Sequence, residues 1–296
     1  MDERNDFPSL YVVADRAAAS TQRMHLWLLR ANYGLILVGA AMSVVASSVD
    51  GVRVAAAVVS AILLVLGMTA SIIQKTLKPD KQWFGARAVA ESVKTLTWRY
   101  MTHTRPFGVE LLPAEADRGF CSSVLAVLKE RKELGGTLAG TTESGQLITD
   151  KMRTIRASTT EERRGIYKEQ RVANQLSWYG NRATTNKRSA TRWFLAATLS
   201  QLLAAITAIL LVVNPGWKVN LVALLATLAT VFLSWTQAKR HEDLSTSYAL
   251  AAHELSGALA QFGHAMTDAE FEQFVADVEQ AISREHTMWV ARRVSP

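Results

Sequence analysis

Residues 54–74 have the sequence VAAAVVSAILLVLGMTASIIQ, 21 positions without a charged side chain. A helix needs about 20 mostly apolar residues to cross a bilayer, so this stretch predicts a membrane span. A helix also satisfies its own backbone N–H and C=O groups within hydrocarbon. The 19 uncharged residues 31–49 lie just before it, across the turn residues Asp50-Gly51. The two stretches therefore predict a helical hairpin.

A second pair of uncharged stretches lies in the other half of the chain. Arg192 and Lys218 bracket 25 residues, and Lys218 and Lys239 bracket 20, with Asn214-Pro215-Gly216 as the turn signal. We place the four spans at about 31–49, 54–74, 193–213 and 219–236. The sequence predicts an all-α membrane protein with four transmembrane helices as two hairpins and a cytoplasmic helical bundle.

Charge placement predicts the orientation in the membrane. The hairpin tips hold only Arg53 and Lys218 of the 33 Lys and Arg residues. By the positive-inside rule the other side is cytoplasmic, so we expect a multi-pass protein of the bacterial inner (cell) membrane with cytoplasmic N- and C-termini. The acidic segment before Met24 lacks the apolar core of a signal peptide. A single cysteine, Cys121, excludes an internal disulfide.

Helix signals outside the spans suggest two modules. The first, 1–134, contains a leading helix over 9–30, the first hairpin and cytoplasmic helices over 83–103 and 113–134, with Pro113 at a helix N1 position. A Gly/Thr/Ser-rich linker covers 135–145. The second module, 146–296, contains a charged helix over about 146–190, the second hairpin, a helix from Trp235 to about Phe262, and a final helix over 268–292 that Thr267 and Glu270 cap.

The residue types that catalysis and metal binding require do not form a recognisable pattern. The chain has no HExxH motif, no cysteine pair, no GxSxG and no phosphate-binding GxxxxGK[ST] loop. We therefore expect no enzyme activity, no metal site, no cofactor and no direct contact with nucleic acid. A membrane enzyme acting on lipids is the least supported alternative, because no convergent set of catalytic groups is evident.

The spans lack internal Asp, Glu, Lys, Arg and His, which argues against coupled ion transport. They contain rows of small residues that let helices approach closely, either within one four-helix unit or between protomers. Gln201 is the one bulky polar group near the centre of a span; it either bonds across helices or lines a pore. The candidates for pore lining or span packing are Gln201, Thr207 beside Ile206, Gly39, Ser43, Ser47, Thr230 and Ser234.

Basic residues lie at the cytoplasmic ends of the second hairpin, where anionic headgroups attract them. These lipid-headgroup candidates are Arg182, Lys187, Arg188, Arg192, Lys239 and Arg240. A phosphate or nucleotide ligand is an alternative for a second group of cations, which solvent and i,i+4 pairing would satisfy equally well. That group consists of Arg153, Arg156, Arg163, Arg164 and Arg171.

The segment 83–100 combines aromatic and charged residues at helical spacing. Arg87, Glu91 and Lys94 fall at i, i+4 and i+7, which permits a ladder of ion pairs on one helical face. Such a ladder stabilises little when exposed and matters more if it organises a packed bundle. The candidate cytoplasmic motif is Trp83, Arg87, Glu91, Lys94, Trp98 and Arg99.

This segment, with Pro106-Phe107 after it, resembles the SLATT superfamily, the bacterial two-transmembrane effector domains found beside SMODS nucleotidyltransferases and SLOG sensor domains. The pattern of residues 11–23, from Tyr11 to Arg23, is similar to the same family. The second half resembles another SLATT module, from Tyr167 and Arg171 through Trp178-Tyr179 to a C-terminal pattern over 274–289. The chain thus looks like two fused modules, and the tract 108–145 carries no pattern of the family.

The resemblance implies a membrane effector of bacterial conflict or anti-phage defence. Its members are expected to form pores or disrupt the inner membrane after a nucleotide signal or a partner sensor triggers them. We expect a homo-oligomer in contact with membrane lipids, because four helices alone hardly enclose a water path. The alternative is a membrane-anchored scaffold that docks a cytoplasmic sensor or a nucleotide-signalling partner.

Overall fold

The structure is a computed structural model of the chain, and it describes residues 1–131, 134–135, 145–217, 219–262 and 266–294, with only the backbone from residue 284 onward. These residues are helical almost throughout and contain no strand, which confirms the all-α prediction. The described helices are α1 (Ser9–Ser48), α2 (Arg53–Leu77), α3 (Pro79–Met101), α4 (Pro113–Glu130), α5 (Asp150–Ala157), α6 (Thr160–Tyr167), a π-helical turn (Lys168–Ala173), α7 (Asn174–Val213), α8 (Val222–Lys239), α9 (His241–Gln261) and α10 (Asp268–Val294).

Two helices of 40 residues each, α1 and α7, contain the first and third predicted spans. In α1 the leading helix and the span are one continuous element, about 60 Å long at 1.5 Å per residue. Continuity follows from the sequence, because neither Gly nor Pro interrupts residues 9–33. Four helical stretches of the described chain are long and apolar enough to cross a membrane, as the uncharged stretches predicted.

The single helix expected over about 146–190 is wrong in its first part, because α5 ends at Ala157 and a separate helical stretch runs from Thr160 through α6, the π-helical turn and α7. The Thr149 hydroxyl accepts a hydrogen bond from the Met152 N–H and starts α5. Thr159 and Glu162 form a capping box that starts α6. Capping side chains compete with continuation of a preceding helix, so Thr159 separates α5 from α6.

The helix expected from Trp235 to about Phe262 is also divided. Arg240 has φ 49° and ψ 44°, in the left-handed region, and separates α8 from α9. Lys78, with φ 45° and ψ 50°, separates α2 from α3 in the same way. Neither break has a neighbouring Gly, and only the break at Lys78 has a neighbouring Pro, Pro79.

The remaining helices lie close to their predicted bounds. Pro113 starts α4, as expected, although the helix ends at Glu130 rather than 134. The Glu270 carboxylate accepts a hydrogen bond from the Thr267 N–H at 2.7 Å, and the Thr267 hydroxyl accepts one from the Glu270 N–H, so the predicted cap of α10 is confirmed. Of the linker expected at 135–145, residues 136–144 lie outside the described residues.

The chain divides into two compact units. The bundle unit consists of residues 1–22, 79–182 and 247–296, and the span unit of residues 23–78 and 183–246. Three separate stretches of chain therefore build the bundle unit, and the two hairpins with their flanks build the span unit.

Aromatic side chains form the core of the bundle unit. The Trp98 ring lies edge-on to Phe7 at 6.1 Å and to Tyr167 at 5.6 Å between ring centroids. Tyr167 in turn contacts Phe271 at 6.2 Å and Phe274 at 6.3 Å. Edge-to-face pairs of this kind each contribute about 0.5–1.5 kcal/mol beyond burial of their area. The cluster joins the N-terminal segment, α3, α6 and α10 in one core.

Small residues hold the first hairpin of the span unit together. The Ser60 hydroxyl donates to the Gly39 carbonyl at 2.8 Å, and a Cβ added at Gly67 would lie 3.2 Å from the Asn32 side-chain oxygen. The residues that α2 buries are Ala56, Ser60, Gly67 and Ala70. Large apolar side chains cover the other faces and stay exposed, so the most apolar windows of the four candidate spans are only 17%, 17%, 11% and 11% buried. A surface this apolar suits hydrocarbon and not water.

Replacing Gly67 by Val tests the close contact in this hairpin. We expect the variant to lose about 1–3 kcal/mol of stability, because extra methyl groups must push the Asn32 side chain and α1 aside. Thermal unfolding of the purified protein in detergent measures the loss. Gly34→Val is the matched control, since a Cβ at Gly34 meets nothing within 4 Å. Equal unfolding temperatures for the two variants would contradict this packing.

Candidate functional site

The predicted ion-pair ladder of α3 exists, but it extends to the N-terminal segment and does not run along one helix. Arg87 pairs with Glu91, and its Nη1 also lies 3.2 Å from the Asp15 carboxylate on α1. Lys94 pairs with Glu3. Lys94 therefore pairs with the N-terminal segment and not with Glu91 on its own helix. The ladder fastens the start of α1 to α3.

The charges of this ladder shift one another's protonation. Glu91 next to the Arg87 guanidinium raises the pKa of Arg87 above its usual value against the opposing effect of burial. Burial raises the pKa of Glu3, but the Lys94 charge and the hydrogen bonds from Lys94 and Tyr11 outweigh burial, so the net pKa of Glu3 is below its usual value. Burial, and then the Glu3 carboxylate, raise the pKa of Tyr11. The groups are thus held in their charged or hydrogen-bonding forms near neutral pH.

The other residues of the predicted motif serve packing. Trp98 is buried in the aromatic core. Trp83 lies half-buried against Phe84, with ring centroids 4.6 Å apart. Arg99 is half-buried, and its charge acts on the nearby Tyr167. The six motif residues thus do not converge on a common point where a ligand would bind.

A fully buried ion pair that the sequence did not single out lies at the centre of the bundle unit. Arg171 Nε lies 2.8 Å from Glu279 Oε1, and Arg171 Nη2 lies 2.7 Å from Glu279 Oε2. The two side chains are 1% and 0% exposed. Because a buried charge without a partner is very unfavourable, each of these residues requires the other.

Two hydroxyl groups complete the hydrogen bonding of Glu279. Tyr167 donates to Oε1 at 3.1 Å, and Thr95 donates to Oε2 at 2.8 Å. Burial, followed by the Glu279 charge, raises the pKa of Tyr167 well above its ordinary value, so the phenol stays protonated as a donor. The pKa of Arg171 is also raised, because the Glu279 carboxylate more than offsets the burial of the guanidinium. Glu279 thus connects α10 to α3, α6 and the π-helical turn.

Arg171 lies within the π-helical turn Lys168–Ala173. A π turn adds one residue to a helical turn, which reorients the side chains that follow, and such turns are frequent at functional sites. Nη1 of Arg171 is buried and has no hydrogen-bond partner among the described residues. No local pattern in the sequence predicts this turn. The sequence suggested Arg171 as one of five candidate phosphate-binding arginines and as part of the family resemblance, but no pattern paired it with Glu279.

The arginines considered for a phosphate ligand are already paired within the chain. Arg156 Nη1 donates to the Tyr100 carbonyl at 2.6 Å and to the Phe107 carbonyl at 3.0 Å. Burial lowers the pKa of Arg156 from its ordinary value. The other four also have partners: Arg153 pairs with Asp117, Arg163 donates to the Ser158 carbonyl and Thr160, Arg164 pairs with Asp268, and Arg171 pairs with Glu279. This bonding weighs against a phosphate site built from them.

The predicted span residues fall into two classes. Gly39 is buried within the first hairpin, which favours packing inside one chain for that position. Gln201 is exposed near the middle of the third span, and no described residue hydrogen-bonds its amide. Of the others, Ser43, Ser47 and Thr230 are exposed and Thr207 and Ser234 are half-buried. The exposed members face the surroundings of the chain and not its core.

The basic candidates lie in or next to a strongly cationic span unit. That unit contains 11 of the 33 Lys and Arg residues but only 3 of the 26 Asp and Glu residues. Arg240 pairs with Asp243 at 3.1 Å, and Lys239 lies 5.7 Å from the centre of the Trp235 ring. The four basic candidates on α7 are exposed: Arg182, Lys187, Arg188 and Arg192. An exposed basic group beside an apolar span suits anionic headgroups.

One groove of about 820 Å³ opens on the bundle unit between α5 and α6. Its walls are mixed, with Lys151 on one helix and Glu162 and Glu169 toward the other. Among the described residues no three His, Cys, Asp or Glu side chains are placed to hold a metal ion.

Two protein-family models match the chain. SMODS and SLOG-associating 2TM effector domain 3 matches residues 8–164, and SMODS and SLOG-associating 2TM effector domain 1 matches residues 167–289. Each match contains one of the two hairpins. Comparison with curated proteins and with solved structures found no match.

Removing the Glu279 carboxylate tests the buried ion pair. We expect Glu279→Ala to cost about 3–5 kcal/mol, because it leaves the Arg171 charge buried without a partner. Chemical unfolding of the full chain in detergent measures the cost. Glu272→Ala on the same helix is the matched control, since Glu272 pairs with the 86% exposed Arg105 and should cost about 1 kcal/mol or less. The central role of Glu279 is refuted if both variants unfold at the same denaturant concentration.

Proposed function

We propose that this chain, which belongs to the SLATT superfamily as two tandem two-transmembrane effector domains, is an inner-membrane effector that oligomerises and permeabilises the bacterial membrane in anti-phage or conflict defence. It is a multi-pass membrane protein with four apolar helices. The observation that carries the proposal is that α1 and α7 extend without a break from the bundle unit into the span unit. Each of these two helices thus has residues in both units, and we propose that they transmit a change in the bundle unit to the spans.

The orientation follows from charge. Of the basic residues in the span unit, only Arg53 and Lys218 belong to the hairpin tips. The positive-inside rule then favours a cytoplasmic bundle unit with cytoplasmic termini. In that orientation the exposed arginines and lysines of α7 lie against anionic lipid headgroups.

Exposure of Gln201 supports self-association. An amide in hydrocarbon gains free energy from a hydrogen-bond partner, and a neighbouring copy of α7 supplies one. Of the exposed α7 positions one or two turns away on the same side, Thr198, Ala205 and Ala208 are small or polar, and Phe194 is large and apolar. Helices with such faces approach closely, so the proposed contact places polar groups from several copies together, as a conducting path requires.

The bundle unit is the proposed receiver of the signal. The described part of the chain contains no metal cluster, and its polar networks join helices to one another, so we propose a non-enzymatic role without a cofactor and without nucleic-acid contact. The trigger is a cytoplasmic sensor or a nucleotide signal. Either shifts a two-state equilibrium by binding one state of the bundle unit better than the other.

A membrane-anchored scaffold is the second candidate function. The groove between α5 and α6 favours it, because about 820 Å³ of open, mixed surface is room for a partner's side chains. Exchange of the four spans for unrelated apolar helices separates the two candidates. Activity survives the exchange if the spans only anchor the protein, and disappears if they conduct.

Reconstitution tests the proposed permeabilisation directly. The purified full chain in vesicles that contain phosphatidylglycerol is expected to release trapped potassium, and its induced expression is expected to collapse the membrane potential of a bacterial host. We expect Gln201→Leu to reduce the potassium flux roughly 5- to 30-fold, the effect of losing about 1–2 kcal/mol of hydrogen bonding between helices.

Gln237→Leu is the matched control for this experiment. Gln237 is likewise exposed, but it lies two residues before Lys239, where water and headgroups satisfy its amide. Its flux should equal that of the unmodified chain. Vesicles that stay sealed at every protein-to-lipid ratio, together with an intact membrane potential in cells, would refute the proposed function.

A further inference from the structure

The joint between α8 and α9 is strained at a single residue, Arg240. Its φ of 49° places it in the left-handed region, which a residue with a Cβ occupies at a cost in free energy. Its N–H still donates to the Thr236 carbonyl at 2.8 Å, and its carbonyl accepts from the Leu244 N–H at 3.0 Å. Helical hydrogen bonds therefore continue on both sides of the one residue that departs from the helix.

Two hydrogen bonds to α7 hold the bent joint. His241 Nδ1 donates to Asn186 Oδ1 at 2.8 Å, and the Ser245 hydroxyl donates to the Ala183 carbonyl at 2.9 Å. All of these residues belong to the span unit. The strain at Arg240 persists because the surrounding contacts offset it, which is the usual condition for a strained backbone.

The corresponding joint of the first hairpin differs in one respect. Lys78 is also left-handed, but Pro79 follows it. A proline has no N–H for the helical ladder and disfavours the helical conformation of the residue before it, so a continuous helix through this joint is strongly disfavoured. No proline follows Arg240 as far as Gln261, so α8 and α9 can join into one helix over 222–261.

We infer that Arg240 is a two-state joint: bent, with the bonds to Asn186 and Ala183 made, or straight, with α8 and α9 continuous and the strain relieved. The joint at Lys78 then stays bent, whereas the joint at Arg240 changes between the two states. Straightening reorients residues 241–246, the start of α9, relative to α8 within the span unit. Its use as the gate of the effector rests on the proposed function, whereas the existence of the two states does not.

Spin labels on either side of the joint test the inference. Thr230→Cys and Thr246→Cys, in a Cys121→Ser background, place two labels at exposed positions of the span unit. In a straight helix their Cα atoms are about 24 Å apart, at 1.5 Å per residue, and a bent joint brings them closer. Pulsed electron–electron double resonance on the full chain in lipid nanodiscs resolves the two distances.

Substitutions at Arg240 should move the populations in opposite directions. Asn tolerates the left-handed region and should favour the short distance, whereas β-branched Val resists it and should favour the long one, each by on the order of tenfold. The double variant Asn186→Ala, Ser245→Ala removes both bonds of the bent state and should also favour the long distance. It tests the inference even if the Val variant fails to fold.

His103 supplies the matched control, because it is left-handed as well, with φ 57°, but ends α3 in the bundle unit. His103→Asn should leave the distance between the labels unchanged. One unaltered distance in the Asn, Val and double variants alike would overturn the two-state joint. Distances that shift as expected while potassium flux stays absent would uphold the joint and refute the proposed function.

Discussion

Hydrocarbon offers no hydrogen-bond partner to a peptide group, and this constraint determines the rest of the molecule. In a chain whose described residues contain no strand, each crossing segment must be a helix that satisfies its own backbone. Once four crossings are helical, their apolar outer faces need no protein cover, and the span unit can pack through residues as small as Gly39 and Ser60. The side chains that build a conventional core are then left to the bundle unit, where Trp98, Tyr167 and Phe271 meet.

The bundle unit unites the two halves of the chain in one core. Glu279, from the second family match, accepts hydrogen bonds from Thr95 of the first match and from Arg171 of its own. The two SLATT domains therefore share one core and are not independent folding units. A buried ion pair of this kind contributes little net stability, but it strongly disfavours any arrangement in which either partner lacks the other. It therefore favours one arrangement of the helices that contact it.

Much of the fold was predictable because the relevant signals are local. A charge-free stretch such as 54–74 is consistent with few structures other than a membrane span. Pro113, and Thr267 with Glu270, mark helix starts within three or four residues. The helix boundary at Thr159 was also predictable, because Thr159 and Glu162 form a capping-box pattern. The neighbouring charges are equally typical of solvated pairs on one long helix, which favours the wrong prediction. The Lys94–Glu3 contact was not predictable, because it joins residues far apart in the chain.

The candidate site depended on information that one sequence does not carry. Arg171 and Glu279 are 108 residues apart, and a lone Arg and a lone Glu on amphipathic helices normally face water. Arg240 is similar: neither Gly nor Pro stands at or beside it, so its left-handed backbone follows from tertiary bonds to α7 and not from its own preference. The module division at the 135–145 linker stays a prediction.

Construction of the bundle unit from three separated stretches has a consequence for biosynthesis. While a ribosome is still making residues 247–283, both hairpins are already available to the insertion machinery, yet Arg171 has no carboxylate to meet. The nascent chain therefore cannot complete the core of the bundle unit until translation has passed Glu279. A chain made in this order has an unassembled bundle unit while it is being synthesised, and a prematurely terminated product exposes an incomplete core to cellular proteases.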